Sequence, residues 1–346
     1  MKNSFKTLTA VLALGAGLVA WAGTPTPVSA QTKILVHVFA PPNYPNNSHG
    51  WVYLKENIER DTKGRVVFEF TPGKVAPPNR NWDHVTNGVV DAAYLHTGFE
   101  RNRLWLTEVG RLPGFTPTAT AMSVASWRTY KKFFETADEF KGVKLLTLYS
   151  FTGENIWTIK KPINTLDDLK GMKLRSGAGL AANIFKALDI APVPSLAAEI
   201  FPMVSKGVVD GMTGPAALVT VLKVGQFLNH GIRYPGSFTT LMWTPILNKD
   251  KWESISADDQ AIMEKYLGEA MARSVAGEWD RRNASSLKQL AEGGIKIHDA
   301  SPEFVAAVQK KTAVFTDQWL ERAAKRGVDG KAALAFYKQQ LEEELK

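Results

Sequence analysis

"KGVVDGMTGP" (residues 206–215) and "NGVVDAAYLH" (residues 87–96) repeat one short text: Gly-Val-Val-Asp, then small residues that lead into a strand. A glycine closing a helical stretch, followed by an aspartate at the mouth of an extended one, describes a helix-to-strand joint. A single joint of this kind is an ordinary connector. Two of them, far apart in the chain, indicate two α/β units assembled alike. Asp91 and Asp210 are therefore expected to hold the joint together, one in each unit.

The text around the joints agrees. Strand-like runs rich in β-branched and aromatic residues occur at 33–40, 65–70, 89–95, 143–151, 156–161, 172–176, 208–212 and 241–248. Helix-like stretches at 48–61, 118–140, 178–188, 195–206 and 215–228 lie between them. That alternation predicts α/β domains with mostly parallel sheets. From Ser256 onward the pattern is almost wholly helical. Ser256 and Asp259 have capping-box spacing, and Ile262, Met263, Tyr266, Leu267, Ala270, Met271, Val275 and Trp279 form an apolar stripe. The stripe is read either as two helices with a break near Gly277 or as one long helix lying across both domains.

The first thirty residues are set apart. Lys2 and Lys6 precede a small, apolar run from Leu8 to Ala22, and Val28-Ser29-Ala30 fits a cleavage site, which predicts a signal peptide over 1–30 and an exported, periplasmic chain. No later run is long and uncharged enough to span a bilayer. The formal charge is +8, or +6 without Lys2 and Lys6 (8 − 2), and the basic residues are scattered, so nucleic acid is not expected as a partner. With no cysteine, disulfides, thiolate metal sites and a cysteine nucleophile are excluded. The six histidines show no metal-ligand spacing, and there is no EF-hand loop, P-loop or nucleophile elbow. Neither a catalytic centre nor a metal or other cofactor is expected, although an oxygen-only cation site leaves no such signature.

"DLKGMKLRSGAG" (168–179) carries the strongest candidate for a binding role. Arg175 ends a short strand, and the small residues after it leave room and open a helix whose first N–H groups favour an anion. A guanidinium there can take a carboxylate in a two-point fork. On local sequence alone, an arginine capping an edge strand or pairing with a surface carboxylate explains it equally well. Glu199 is read as bracing Arg175 rather than touching a ligand. Ligands of open α/β sheets sit beyond the carboxyl ends of the strands. Those ends carry Phe39, Tyr94, His96, Asn155, Trp157, Arg175, Thr213 and Trp243, an aromatic set around one arginine that suits an organic carboxylate.

Taken in order, "ERDTKGRVVFEFTPG" (59–73), "VTNGVVDAAYLHTGFERNRL" (85–104), "LPGF" (112–115), "KKPINTLDDLKGMKLRSGAG" (160–179) and "AAEIFPMVSKGVVDGMTGP" (197–215) resemble the DctP-type solute receptors. These serve tripartite ATP-independent periplasmic (TRAP) transporters. The resemblance implies a two-domain periplasmic-binding-protein fold with a long C-terminal helix crossing both domains. Domain I is expected over 31–152 plus about 241–280, and domain II over 153–240 plus about 281–346. It also implies a receptor that performs no chemistry, binds a small organic carboxylate through Arg175, and hands it to the small and large membrane subunits of a permease. A ligand-sensing protein on the same fold is the alternative.

Asn155 stands where the family's sialic-acid receptors have a second arginine. Gly214 stands where they have asparagine, and Ala198 where they have a bulky residue. These departures point to a roomier, less polar pocket, hence to an aromatic or branched monocarboxylate. C4 dicarboxylates would want a second cation, and the candidates Arg101 and Arg103 are expected to face solvent.

Overall fold

The computed structural model describes residues 31–346 apart from 41, 74, 76, 101, 102, 116 and 117. The signal-peptide segment and Arg101 therefore lie outside the described residues. Two sheets organise the chain. The first has the order β2-β1-β3-β11-β4, with β5 also pairing β11. Its strands are β1 (Thr32–Val36), β2 (Val66–Phe70), β3 (Ala92–His96), β4 (Val143–Leu145), β5 (Tyr149–Ser150) and β11 (Met242–Asn248). The second has the order β12-β10-β6-β9-β7-β8. It is built from β6 (Asn155–Thr158), β7 (Lys173–Ser176), β8 (Ala191–Pro194), β9 (Gly211–Gly214), β10 (His230–Arg233) and β12 (Lys296–Asp299).

The first sheet is packed with α1 (Val52–Asp61), α2 (Asn81–Thr86) and α3 (Ala119–Thr129), and the second with α4 (Leu180–Ala187), α5 (Ala197–Ser205) and α6 (Ala216–Val221). The chain ends in α7 (Lys249–Glu253), α8 (Ala257–Glu264), α9 (Gly268–Glu292), α10 (Pro302–Lys325) and α11 (Gly330–Glu344).

The repeated text folds into a repeated device. Asp91 and Leu35 exchange hydrogen bonds: the Leu35 N–H reaches Asp91 Oδ2 at 2.7 Å, and the Asp91 N–H reaches the Leu35 carbonyl at 2.8 Å. In the second sheet the Lys173 N–H reaches Asp210 Oδ2 at 2.8 Å, and the Asp210 N–H reaches the Lys173 carbonyl at 2.7 Å. Each aspartate thus clips the strand it opens to its parallel neighbour, β3 to β1 and β9 to β7. The match extends further. Gly88 and Gly207 both have positive φ (69° and 65°), which a side chain rarely tolerates. The first valine of each pair is exposed (57% and 58%), and the second is buried.

All eight anticipated strand regions contain strands, but 143–151 is interrupted at 146–148, and β8, β10 and β12 were not anticipated. β8 carries Pro192 and Pro194, which read as loop. As an edge strand beside β7 it tolerates both. β10 contains Gly231, where a Cβ would come within 2.5 Å of the Trp157 ring, so the glycine is a packing requirement that weakens the strand pattern.

The C-terminal helical stripe breaks ten residues before Gly277. Ser256 caps α8 as expected, its Oγ accepting from the Asp259 N–H at 3.2 Å. The chain then turns at Gly268, whose N–H reaches the Leu146 carbonyl at 2.7 Å and whose φ is +56°. A Cβ there would meet the Trp127 ring at 2.7 Å. From Gly268 the 25-residue α9 runs unbroken through Gly277. Met271, Val275, Ala276 and Trp279 join the core beneath the first sheet, and Leu290 joins a separate core beneath the second. At ~1.5 Å per residue it is about 37 Å long. One helix is therefore rooted in both cores.

Two segments cross between the sheets, 151–154 and 234–241. They are laced together: the Phe151 N–H donates to the Leu241 carbonyl at 3.0 Å, the Glu154 N–H to the Thr239 carbonyl at 2.9 Å, and the Thr240 hydroxyl to the Phe151 carbonyl at 2.8 Å. Gly153 permits this approach, since a Cβ on it would lie 2.3 Å from Ser237 Cβ.

Loss of either joint aspartate strands a backbone donor. Asp91→Ala is expected to lower stability by about 1–2 kcal/mol. Asp210→Ala should lower it less, because Asp210 is exposed. With the two joints in different sheets, the double variant should equal the sum within about 0.5 kcal/mol. Urea denaturation of the three variants measures this.

Candidate functional site

Arg175 is the third residue of β7 and is only 6% exposed. It is positioned by the neighbouring strand. β7 and β8 are parallel with Arg175 opposite Val193, so the residue just past β8 lies beside the guanidinium. That residue is Ser195. Arg175 Nη2 donates to its carbonyl at 2.6 Å and Nε to its hydroxyl at 3.2 Å. Among the described residues no carboxylate lies within ion-pair distance of Arg175. Burial lowers its pKa from the usual 12.5 to about 10, opposed by the more distant acidic groups Glu154, Tyr44 and Glu199.

Glu199 does not brace the arginine. Its carboxylate accepts the Leu196 N–H at 3.0 Å, so at position N3 it caps the start of α5 from one side, Leu196 having no side-chain acceptor to return the bond. The bracing comes from Ser195 instead. Gly177, two residues after Arg175, faces the crossing segments: a Cβ on it would make ordinary contacts, 3.4 Å from Leu241 Cδ2 and 3.9 Å from Glu154 Oε1.

Glu154 was not anticipated. It directly precedes β6, is 2% exposed, and accepts the Thr213 hydroxyl at 2.7 Å. Burial raises its carboxyl pKa; the Thr213 hydrogen bond and the charges of Arg175 and Arg111 counter without cancelling it. The signal was present in "FTGENIW" (151–157), where a lone acid enters an apolar strand. Arg111 is a second unforeseen buried cation. It is 0% exposed, 3.3 Å from Glu108, and donates to the Thr240 carbonyl at 3.2 Å.

At the first sheet the predicted aromatic residues assemble at one edge, the carboxyl ends of β1 and β3 and the start of β11. Phe39 and Tyr94 have ring centroids 4.7 Å apart, Tyr94 and Trp243 5.5 Å, Phe39 and Trp243 6.1 Å, and His96 and Trp243 5.1 Å. Phe151, from the crossing segment, stacks on Trp243 at 6.1 Å, and Tyr44 meets Phe151 at 6.5 Å. This edge belongs to the same electrostatic environment as Arg175. The arginine's charge acts on Tyr44 and on His96. Burial, then the charges of Arg111 and Arg175, hold His96 well below the ordinary imidazole pKa.

Three predicted residues lie away from the aromatic edge, on the second sheet. Trp157 is fully buried in the core of the second sheet, its indole N–H bonded to the Gly214 carbonyl at 2.8 Å. Thr213 is fully buried and committed to Glu154. Asn155, opposite Gly214 in the β6–β9 register, lines a cavity of about 240 Å³ with Thr152, Arg233, Ser237 and Asp299. Arg103 lies 4.8 Å over the Trp82 ring and 3.7 Å from Glu100, half exposed, so it is engaged at the surface.

A buried cation between two sheet edges, with paired crossing segments and a helix rooted in both cores, defines a two-lobed solute-binding protein. The chain belongs to family 7 of the bacterial extracellular solute-binding proteins, the DctP family of TRAP solute receptors, whose model matches residues 36–322. It is 32% identical over 311 residues to outer membrane transporter protein TsaT of Comamonas testosteroni, covering 90% of this chain and 91% of that one. A TRAP periplasmic solute-binding protein from Bordetella bronchiseptica, solved with (R)- and (S)-mandelate, superposes with a TM-score of 0.86 at 31% identity, covering 90% and 99% of the two chains. A TRAP solute-binding protein from Rhodoferax ferrireducens T118, solved with copurified benzoate, shares the fold with a TM-score of 0.81 at 23% identity, over 90% and 98%. Such relatives are solute-binding transport proteins, not enzymes.

Because burial raises the Glu154 pKa in the fold above its unfolded value, the folded state holds this proton more tightly. Its ionisation cost is absent below the unfolded pKa and present in full above the folded one. Glu154→Gln, which can still accept from Thr213, is expected to raise the melting temperature of the ligand-free protein by a few degrees at pH 8. The gain should shrink toward pH 4. Thermal unfolding across that range tests it, and a gain independent of pH would contradict an ionised Glu154.

Proposed function

We propose that this protein is a periplasmic receptor for an aromatic monocarboxylate, which it delivers to the membrane subunits of a TRAP transporter. One observation carries the reading: Arg175 is a buried cation with no carboxylate in ion-pair contact among the described residues. An uncompensated charge in a low-dielectric site is costly, and an anionic ligand removes that cost. Ser195 holds Nε and Nη2, so the guanidinium is preorganised and the ligand does not have to order it.

Chemistry on the opposite side narrows the anion. Phe39 and Trp243, backed by the buried rings of Tyr94 and Phe151, are flat and apolar, with Arg175 and Glu154 nearby, while the other buried cation, Arg111, is already paired with Glu108. A second carboxylate on the ligand would meet Glu154 and the rings rather than a free cation. Mandelate, bound by the Bordetella relative, is an aromatic monocarboxylate, which supports the same class here. Ligand entering between the sheet edges would favour the closed arrangement by binding it more tightly than the open one. The periplasmic assignment draws on the signal-like segment 1–30 and on the family. Among the described residues no helix is long and apolar enough to cross a membrane.

Titration calorimetry with benzoate, phenylacetate, mandelate and succinate tests the reading. At least one aromatic acid should bind in the micromolar range or tighter, and succinate should not. Arg175→Ala is expected to lose roughly 2–5 kcal/mol of that affinity, since the ligand carboxylate is left buried without its partner. Arg175→Lys, which cannot form the fork, should bind more weakly than the wild type. Succinate as the tighter ligand, or undiminished affinity in Arg175→Ala, would rule the proposal out.

A further inference from the structure

His96 and Trp243 are direct partners in the antiparallel β3–β11 register, so their side chains share one face at the strand edge that carries the aromatic cluster. Their rings are 5.1 Å apart and inclined at 68°. His96 is 5% exposed. Both of its ring nitrogens, and Nε1 of Trp243, are shut off from solvent with no hydrogen-bond partner among the described residues. The surrounding rings, Phe39, Tyr94, Phe99 and Phe151, present no polar atom other than the Tyr94 hydroxyl. That hydroxyl donates to Asn47 Oδ1 at 3.2 Å.

Buried donors and acceptors are paired in the great majority of cases, and an unpaired one calls for a group that completes it. Here three unpaired nitrogens lie on two rings in contact at one end of the first sheet. Gly98 makes room for the imidazole, because a Cβ on it would come within 2.6 Å of His96 Cε1.

The chemistry of the missing group follows from the donors. Trp243 Nε1 can only donate. A neutral imidazole has one donor nitrogen and one acceptor nitrogen. His96 is held neutral by its burial and by the positive charges of Arg111 and Arg175. A carboxylate can accept from the indole N–H and from an imidazole N–H, but it has nothing to give the imidazole acceptor. A hydroxyl serves that acceptor: it accepts from Trp243 Nε1–H and donates to the unprotonated nitrogen of His96, and the imidazole N–H remains for a second acceptor.

We infer that His96 and Trp243 read a hydroxyl group on the ligand, so that the preferred solute is a hydroxylated aromatic monocarboxylate. This rests on the assignment of Arg175 as the carboxylate anchor. His96 and Trp243 then act as specificity-determining residues at a second point of the pocket. A site built to bond a hydroxyl discriminates against the analogue that lacks it, because its own polar groups are left buried and unpaired.

The experiment compares matched pairs by titration calorimetry: benzoate against its three monohydroxy isomers, and phenylacetate against mandelate and 3-hydroxyphenylacetate. In the wild type at least one hydroxylated acid should bind on the order of tenfold or more tighter than its parent. His96→Phe should bring that ratio close to one, whatever its effect on the parent's own affinity, and Trp243→Phe should reduce the ratio independently. A merely structural role for His96 would lower the affinity of both members alike and leave their ratio intact. That result, or a wild type that binds every hydroxylated acid no more tightly than its parent, overturns the inference while leaving the monocarboxylate reading standing. Failure of all the aromatic acids to bind overturns both. Should His96→Phe fold poorly, Trp243→Phe alone decides through the same ratio.

Discussion

A buried guanidinium with no carboxylate in ion-pair contact among the described residues is the constraint around which the rest of the candidate site is arranged. Arg175 has exchanged water for one serine, and the serine meets only part of what water supplied. Everything nearby is consistent with keeping that cation fixed and incompletely satisfied. The parallel pairing of β7 with β8 sets Ser195 beside it, and the joint aspartate Asp210 locks β7 to β9 on its other flank. Glu154 is near enough to act electrostatically but is bonded to Thr213, not to the arginine. A full ion pair at this position would satisfy the cation internally and leave an incoming anion little to gain.

The fold was largely legible because its periodic signals are strong. The two Gly-Val-Val-Asp joints, the apolar strands and the α9 stripe all rest on local pattern, and each is found where it was expected or within a few residues. The failures have a common cause: contacts made at long range. β8 contains two prolines, tolerable only at a sheet edge, and sequence does not announce an edge. The break before α9 depends on Gly268 meeting Leu146 and Trp127, which are more than a hundred residues away. Gly277, the more obvious breaker, is continuous helix.

The candidate site divides in the same manner. Phe39, Tyr94, His96 and Trp243 assemble because each lies at the site end of a strand, a position that alternation and strand ends make readable. Trp157 looked equivalent, yet it points into the core of the second sheet, where Gly231 makes space for it. Glu154 carries only a weak local mark, a lone acid at the start of an apolar strand, and that alone does not separate it from a surface carboxylate. Its importance comes from Arg175, Arg111 and Thr213, which fold in from three other segments.

The prolines of β8 have a second effect. A sheet edge with free N–H groups is a template on which another extended chain can grow. At Pro192 and Pro194 the outermost strand of the second sheet has no N–H to offer, so its free margin is interrupted at alternate residues. The strand that delivers Ser195 to Arg175 is thereby also the one on which a stray strand cannot continue the ladder. Resistance to edge-to-edge aggregation at this margin thus comes from the same four residues that set Ser195 beside Arg175.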